Sequence, residues 1–285
     1  MYPRFGTLSF ITPYGLMLVI ALLVCWYYAR RRAVKFGIDA SHIDLALPLV
    51  FAISVLGAQL FTLIGPHDSV FAGGGIASHT RISLFALLLF AVPALYVYCR
   101  VCGLSFRRLL DLFALPAMAC LMLIRLGCFM AGCCWGDLVY APPQLAQAVG
   151  PEQATQVLTL PWFSAEGLAS VVSFPFDSFA YRQHLALGLI GPEASASLPV
   201  HPTQLYEFVL LAVLLAGLQR LEDRWVSPGT AVLAALGSYA VLRFFIEFLR
   251  ADNALVLGRL TFIQLVCTGL IIACVTGIVK ARQKT

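Results

Sequence analysis

Four short segments of the sequence place polar residues of unusual types inside or beside long apolar runs. The first contains Gly73, Gly74, Gly75 and His79 just ahead of an apolar run. Successive glycines let the backbone approach a ligand closely, and a histidine at a membrane boundary can exchange protons near neutral pH. The segment is therefore a candidate for substrate handling, and a flexible turn with a solvated histidine is the alternative.

The second segment ends the apolar run 112–130 and combines Arg125 with Cys128, Cys133 and Cys134. A charged side chain in bilayer hydrocarbon costs about 2.5–3.5 kcal/mol on insertion scales, so Arg125 needs an anion, a water-filled cavity or a carboxylate partner. An arginine that snorkels from a helix end is the alternative. The cysteines allow three interpretations: small packing residues, a disulfide from Cys128 to Cys133 or Cys134, or a reactive thiol.

The third segment begins the fifth apolar run and contains His201, Gln204, Tyr206 and Glu207. It also carries Pro202 and Thr203, residue types that are typical of a helix start. Glu207 would lie about one turn inside the bilayer, where a carboxylate needs a partner.

The fourth segment, at the end of the sixth apolar run, contains Arg243, Glu247 and Arg250. Arg243 and Glu247 are four residues apart and can pair on one helical face, with Arg250 a turn further along. One ion pair would leave a surplus of arginines at this depth. Arginine offers planar, permanently charged donors that match phosphate. The pattern therefore predicts a site for a phosphate-bearing lipid headgroup.

The composition places these segments in a membrane protein. Of 285 residues, 60% are hydrophobic and 12% charged, and the mean hydropathy is +0.88. We predict an all-α polytopic membrane protein, one transmembrane domain over residues 1–285, with about seven transmembrane helices. The apolar runs fall near 14–29, 45–65, 82–99, 110–131, 204–219, 229–249 and 258–279.

Basic residues occur after every second apolar run, which by the positive-inside rule puts the N-terminus outside and the C-terminus in the cytoplasm. The long loop 132–203 then lies outside. We expect residues 137–200, between the fourth and fifth helices, to form a small, partly helical extracytoplasmic cap with too few regular elements for a core of its own. No P-loop or dinucleotide-binding motif is present, and no nucleic-acid partner is expected.

These motifs resemble the phosphatidylglycerol–prolipoprotein diacylglyceryl transferase family of bacterial inner membranes, over nearly the whole chain and in the same order. The resemblance implies transfer of a diacylglyceryl group from phosphatidylglycerol, or a related phospholipid, to the lipobox cysteine in the signal-peptide region of a prolipoprotein. The reaction forms a thioether, releases glycerol phosphate and needs no metal or organic cofactor. The matching residues and motifs are Tyr14–Met17, Gly74–His79, Asp111, Pro116, Arg125–Gly132, His201–Glu207 and Arg243–Arg250.

The resemblance also implies roles for individual residues. Arg125 and Arg243 would hold the phosphate, and His79 would help to deprotonate the acceptor thiol. Residues that orient these groups are Tyr14, Tyr206, Glu207 and Glu247. The expected substrate-binding set is Gly74, Gly75, Gly127, His201, Gln204, Tyr206, Glu207 and Arg250.

The chain departs from the family signature at the second segment. Cys128 and Ala131 replace two asparagines, and Cys133 replaces a glutamate, so we expect Cys133→Ser to impair activity more than Cys128→Ser. One alternative is a divergent membrane enzyme that keeps the phospholipid site and uses another acceptor or its cysteines. Another is a non-catalytic lipid-binding protein.

Overall fold

The structure is a computed structural model that describes residues 12–64, 84–136, 138, 171–224, 227–250, 255–257 and 260–283. Within these ranges the chain is mostly helical, which confirms the predicted all-α fold. The helices are α1 Pro13–Phe36, α2 Ala40–Ile64, α3 Leu84–Cys102, α4 Phe106–Ala131, α5 Phe179–Ala186, α6 Thr203–Arg220, α7 Thr230–Ile246 and α8 Phe262–Arg282. Two 3₁₀ helices, Glu222–Arg224 and Glu247–Leu249, follow α6 and α7.

The strands form one short hairpin before α8. Strand β1, Leu255–Leu257, pairs with β2, Leu260–Thr261, in antiparallel register, with Leu255 opposite Thr261 and Leu257 opposite Leu260.

Each predicted apolar run overlaps a helix of the structure, and the seventh run, 258–279, begins ahead of α8, with residues 260–261 in β2. Five of the described helices, α1, α2, α4, α7 with its 3₁₀ extension, and α8, are long and apolar enough to cross a membrane. Helix α3 contains a shorter apolar stretch, Leu87–Cys102, and α6 carries the fifth predicted run. A segment in lipid must satisfy its backbone hydrogen bonds internally, so apolar runs of this length form helices. The chain is a multi-pass membrane protein.

The chain divides into two compact units, each assembled from three separate stretches. Unit 1 comprises Met1–Ala21, Leu121–Val213 and Tyr239–Gly269, and unit 2 comprises Leu22–Cys120, Leu214–Ser238 and Leu270–Thr285. The prediction of a single transmembrane domain stays a prediction.

In unit 2 the buried side chain of Arg32 joins three stretches of the chain. It donates to two backbone carbonyls near the start of α4, the nearer at 2.9 Å, and its Nη1 lies 2.6 Å from a carboxylate oxygen of Glu222. Nearby, the carboxylate of Asp111 accepts hydrogen bonds from the backbone N–H groups of Gly229 and, at 2.9 Å, Val232. Asp111 therefore caps the N-terminus of α7, whose first N–H groups have no partner within the helix.

In unit 1 the described part of the predicted cap, residues 171–200, encloses a small hydrophobic core. Its buried members are Trp135, Leu138, Phe174, Ala180, Leu189 and Val200. Helix α5 begins after Ser178, whose hydroxyl accepts a hydrogen bond from the Tyr181 N–H at 3.2 Å, so the cap is partly helical as predicted. Trp135 and Phe129, which packs against this cluster, lie outside residues 137–200, so the expectation that the loop has no core of its own stays a prediction.

His184 lies inside this cap core. It is 3% exposed, its Nδ1 accepts a hydrogen bond from the Leu198 N–H at 3.1 Å, and its ring meets Trp135 edge to face with centroids 5.9 Å apart. Burial lowers the pKa of His184 to about 4. Protonation would therefore break the bond to Leu198 and place a charge among apolar side chains.

We expect the cap core to lose stability as the pH falls. The pKa of an unfolded histidine is about 6.5, above the folded value, so the contribution of His184 is complete above pH 6.5 and is lost between pH 6.5 and 4. Between pH 7 and 5 the free energy of opening the cap should fall by about 2 kcal/mol. Hydrogen exchange of the cap amides, corrected for intrinsic pH effects, measures this. The variant His184→Asn, which keeps an acceptor that does not titrate, should show a much flatter pH dependence. The same pH dependence in this variant as in the parent would contradict the assignment to His184.

Candidate active site

Two arginines and two glutamates from four helical segments of unit 1 form a buried ion-pair network. Arg125 lies on α4, Glu207 on α6, Arg243 on α7 and Glu247 at the start of the following 3₁₀ helix. The two arginines are each 8% exposed, and the glutamates are 1% and 2% exposed. Isolated charges are too costly to bury at this level, so these four groups are buried as a set.

Glu207 is the centre of the network. Its Oε2 pairs with Nε of Arg125, and its Oε1 lies 3.3 Å from Nη1 of Arg243. Arg243 also pairs with Glu247, at 2.7 Å between Nη2 and Oε2. The i,i+4 pair Arg243–Glu247 was predicted from the sequence, and the pairing of Arg125 with Glu207 was not. Within these four residues two positive charges balance two negative charges, so Arg125 and Arg243 are not surplus charges.

Three residues that the sequence analysis did not single out support this network. The hydroxyl of Tyr239 lies 3.4 Å from Nη2 of Arg125, and Thr261 Oγ1 donates to Glu247 Oε1 at 2.9 Å. Thr261 and Gln264 bond reciprocally, with the Thr261 N–H donating to Gln264 Oε1 at 2.9 Å. This is a capping box at the start of α8, and its Thr-x-x-Gln spacing before an apolar run was visible in the sequence.

The three cysteines of the second segment meet at the end of α4. Each pair of their sulfur atoms lies within 4.8 Å, and none of the nine cysteines forms a disulfide in the structure. The chain turns back at Gly132 and Cys134, with φ of 67° and 60°, and the Cys133 N–H donates to the carbonyl of Cys128 at 3.1 Å. A non-glycine residue in the left-handed region is uncommon, and the backbone strain persists only where the surrounding structure holds the residue in place.

Residues 201–204 hold this cysteine turn in place. Gln204 Nε2 donates to the carbonyl of Cys133 at 2.6 Å, and Thr203 Oγ1 donates to the carbonyl of Cys134 at 2.9 Å. The N–H of Gly136 donates to the carbonyl of His201 at 2.8 Å, and a Cβ at Gly136 would lie 2.7 Å from the carbonyl oxygen of Leu249. The Gln204 amide and the His201 carbonyl thus bond to the protein itself, and burial lowers the pKa of the His201 ring.

The remaining predicted residues that the structure describes lie around this centre. Gly127 allows α4 to approach α1, since a Cβ there would lie 3.0 Å from Met17 Cβ and 3.4 Å from the Tyr14 ring. Tyr14 is 36% exposed and within electrostatic range of Arg125 and the three thiols. Arg250 is half-buried, and its N–H donates to the Glu247 carbonyl at 3.2 Å. Tyr206 OH lies 3.4 Å from Nδ1 of His201.

Three predicted site residues, Gly74, Gly75 and His79, lie outside the described residues. Their roles stay predictions.

The fold and the site together define a class: multi-pass helical membrane proteins that bury paired arginine and glutamate side chains between apolar helices. The sequence profile of the family described as prolipoprotein diacylglyceryl transferase matches residues 5–280. The chain therefore belongs to the prolipoprotein diacylglyceryl transferase family.

Similar proteins carry the same description. A phosphatidylglycerol–prolipoprotein diacylglyceryl transferase of Azotobacter vinelandii is 28% identical over 279 residues, covering 91% of this chain and 85% of that protein. One of Clostridium novyi is 25% identical over 283 residues, covering 95% and 91%. One of Dehalococcoides mccartyi is 24% identical over 251 residues, covering 86% and 80%.

Proposed function

We propose that this protein transfers the diacylglyceryl group of phosphatidylglycerol to the lipobox cysteine of a prolipoprotein, with release of glycerol phosphate. The observation that carries the proposal is the convergence of Arg125 and Arg243, from different helices, on the buried carboxylate of Glu207. The family membership and the names of the relatives agree with it.

The reaction needs a nucleophile and a stabilised leaving group. The acceptor thiol loses its proton, its sulfur attacks the glyceryl carbon, and the carbon–oxygen bond to the phosphate breaks with its electron pair leaving on the phosphate oxygen. Charge therefore develops on the leaving phosphate, where arginine donors in a low-dielectric site are most effective. Glu207 keeps both guanidinium groups at one point before the substrate binds, and this preorganisation supports the proposed roles of Arg125 and Arg243.

We propose supporting roles for the other predicted residues. In this proposal His79 is the base that helps deprotonate the acceptor, on the strength of the resemblance, and Tyr14, Tyr206, Glu207 and Glu247 orient the reacting groups. Gly74, Gly75, Gly127, His201, Gln204 and Arg250 shape the phospholipid site, and the contacts of Gly127 and Gln204 indicate that these two act by positioning helices and backbone.

A second candidate function is favoured by the cysteine cluster. A divergent enzyme with the same phospholipid site would use another acceptor, since Cys128 and Cys133 stand where the family signature has an asparagine and a glutamate. The product of labelled phosphatidylglycerol separates the two candidates.

The test is complementation of a strain depleted of its own transferase. The diacylglyceryl group of labelled phosphatidylglycerol should appear on prolipoprotein as a thioether, which mass spectrometry detects. Growth rescue without labelled lipoprotein would contradict the proposal, and so would the absence of both growth rescue and labelled lipoprotein.

The orientation belongs to the same proposal: a bacterial inner-membrane protein with the N-terminus outside, the C-terminus in the cytoplasm and residues 137–200 outside as the cap. Basic residues end α1, α3, α6 and α8, and all of them belong to unit 2. Arg32 pairs with Glu222, and Lys35 lies 2.9 Å from Asp223, so the ends of α1 and α6 are neighbours. Neighbouring helix ends lie on one side of a membrane, which supports the alternation of the basic loops.

Reporter fusions measure this orientation. Fusions after Phe36 and in the tail after Val279 should report the cytoplasm, and a fusion near Gly191 in the cap should report the outside. An outside signal from either of the first two would contradict the orientation.

A further inference from the structure

The cluster of Cys128, Cys133 and Cys134 has the chemistry of a metal site. Three sulfur atoms, one ligand atom from each residue, lie within 4.8 Å of one another. A tetrahedral zinc ion with Zn–S bonds of ~2.3 Å requires sulfur atoms about 3.8 Å apart. No pair of sulfurs therefore has to approach by more than about 1.0 Å (4.8 − 3.8) to reach that spacing.

The backbone around the cluster is held in place before any ion arrives. The turn at Gly132 and Cys134 directs Cys133 and Cys134 back toward Cys128. At the start of α6, Gln204 donates to the carbonyl of Cys133 and Thr203 donates to the carbonyl of Cys134. A site supported in this way loses little conformational entropy on binding.

Positive charge lies close to the cluster. Arg250 and Arg125 both lie within electrostatic range of Cys134, so a negatively charged metal–thiolate group there would face two positive charges. Thiolate is the form that binds metal.

We propose that Cys128, Cys133 and Cys134 bind one Zn²⁺ ion through three thiolate sulfurs and leave its fourth position open. Thiolates select soft or borderline ions, which excludes Mg²⁺ and Ca²⁺. Three thiolates and Zn²⁺ carry one net negative charge beside the arginines, whereas Cu⁺ would leave two. Three protein ligands with an open position are the arrangement of zinc sites that act on a substrate.

The open position gives the zinc ion a role, and this part of the inference rests on the proposed function. With zinc bound, an acceptor thiol at the open position would be held as a thiolate, and its proton would pass to the base of the proposed function. Its sulfur then forms the bond to the glyceryl carbon, the carbon–oxygen bond breaks, and the electron pair leaves with glycerol phosphate, while zinc remains Zn²⁺. The Cys-rich variant of the signature would therefore favour the deprotonated acceptor without replacing that base.

Metal content tests the site without reference to activity. The full-length protein, purified in detergent, reduced and freed of metal, should bind one equivalent of Zn²⁺ and, in its place, Co²⁺ with an intense sulfur-to-cobalt charge-transfer absorption. Each of Cys128→Ser, Cys133→Ser and Cys134→Ser should weaken zinc binding by more than the ~10–100-fold typical of an outer-shell partner. Cys102→Ser, a partly buried cysteine of α3 in unit 2, is the matched control and should bind as the parent does.

The outcomes separate this inference from the proposed function. Zinc bound by all three thiols in a protein without transferase activity would support the site and contradict the proposed function. Transferase activity that persists in the triple serine variant would support the proposed function and overturn the role of zinc. Absence of the cobalt–thiolate band, or a Cys128–Cys133 or Cys128–Cys134 disulfide in intact membranes, would overturn the site. Unequal losses, with only Cys133→Ser impaired, would also overturn it, since a three-sulfur site needs every ligand.

Discussion

Arg243→Gln is expected to lower transferase activity by about 10³-fold or more, because it removes a charged donor from the point where the leaving phosphate develops charge. Arg243 is 8% exposed and bonds to both Glu207 and Glu247, so the substitution also leaves a buried carboxylate unpaired. Breaking a buried pair in this way costs about 3–5 kcal/mol of stability. Activity and stability must therefore be measured separately.

A double variant separates the two effects. Arg243→Gln combined with Glu247→Gln restores the balance of charge, so its stability should return most of the way to the parent, while its activity stays lost. Arg243→Lys should keep partial activity, since a point charge cannot reproduce two parallel N–H donors. The control is Arg182→Gln in the cap, whose side chain is 50% exposed and pairs only at the surface with Asp177. Full activity in the folded double variant would exclude Arg243 from the reaction.

Glu207→Gln is expected to give the largest loss of stability, about 3–5 kcal/mol in the free energy of unfolding. Glu207 is 1% exposed and is the residue at which Arg125 and Arg243 meet, so a neutral amide leaves two buried guanidinium groups with one carboxylate, Glu247. Glutamine has nearly the same shape as glutamate, so the change measures charge and not packing. Denaturant or thermal unfolding in detergent gives the free energy.

Two further variants define the origin of this loss. Glu207→Asp keeps the charge but shortens the side chain by one methylene, so it can reach only one of the arginines well and should be intermediate. Glu193→Gln, the same chemical change at an exposed cap position, should alter stability by less than ~0.5 kcal/mol. Equal stability of Glu207→Gln and Glu193→Gln would contradict the central position of Glu207 in the network.

Replacement of the acidic signature position by Cys133 changes what the neighbouring groups must do. The glutamate of the family signature would add a charge near Arg125, whereas here Arg125 pairs with Glu207 and the cysteine turn is bonded to residues 203 and 204. The ion-pair network and the thiol cluster are thus adjacent but chemically distinct parts of unit 1. The Glu207 variants and the cysteine variants therefore report on different steps.

The features determined by the sequence alone are local ones. Apolar runs long enough to cross a bilayer specify helices wherever they occur, because lipid offers no other partner for the backbone. The pairing of Arg243 with Glu247 follows from the helical repeat, since residues four apart share a face. The helix start at residues 202–203 is also a local feature, and it was predictable from its residue types.

Only the tertiary structure decided how segments distant in the chain meet. Arg125 and Glu207 are 82 residues apart (207 − 125), and their pairing depends on the rotation and approach of α4 and α6, which a helical pattern does not specify. The same holds for the cap core, where Trp135 and Phe174, 39 residues apart (174 − 135), belong to one buried cluster. The three thiols converge because a left-handed backbone at Cys134, a conformation that no residue type there predicts, reverses the chain. Side-chain periodicity acts over a few residues, whereas these contacts arise from packing between elements, so they became visible only in three dimensions.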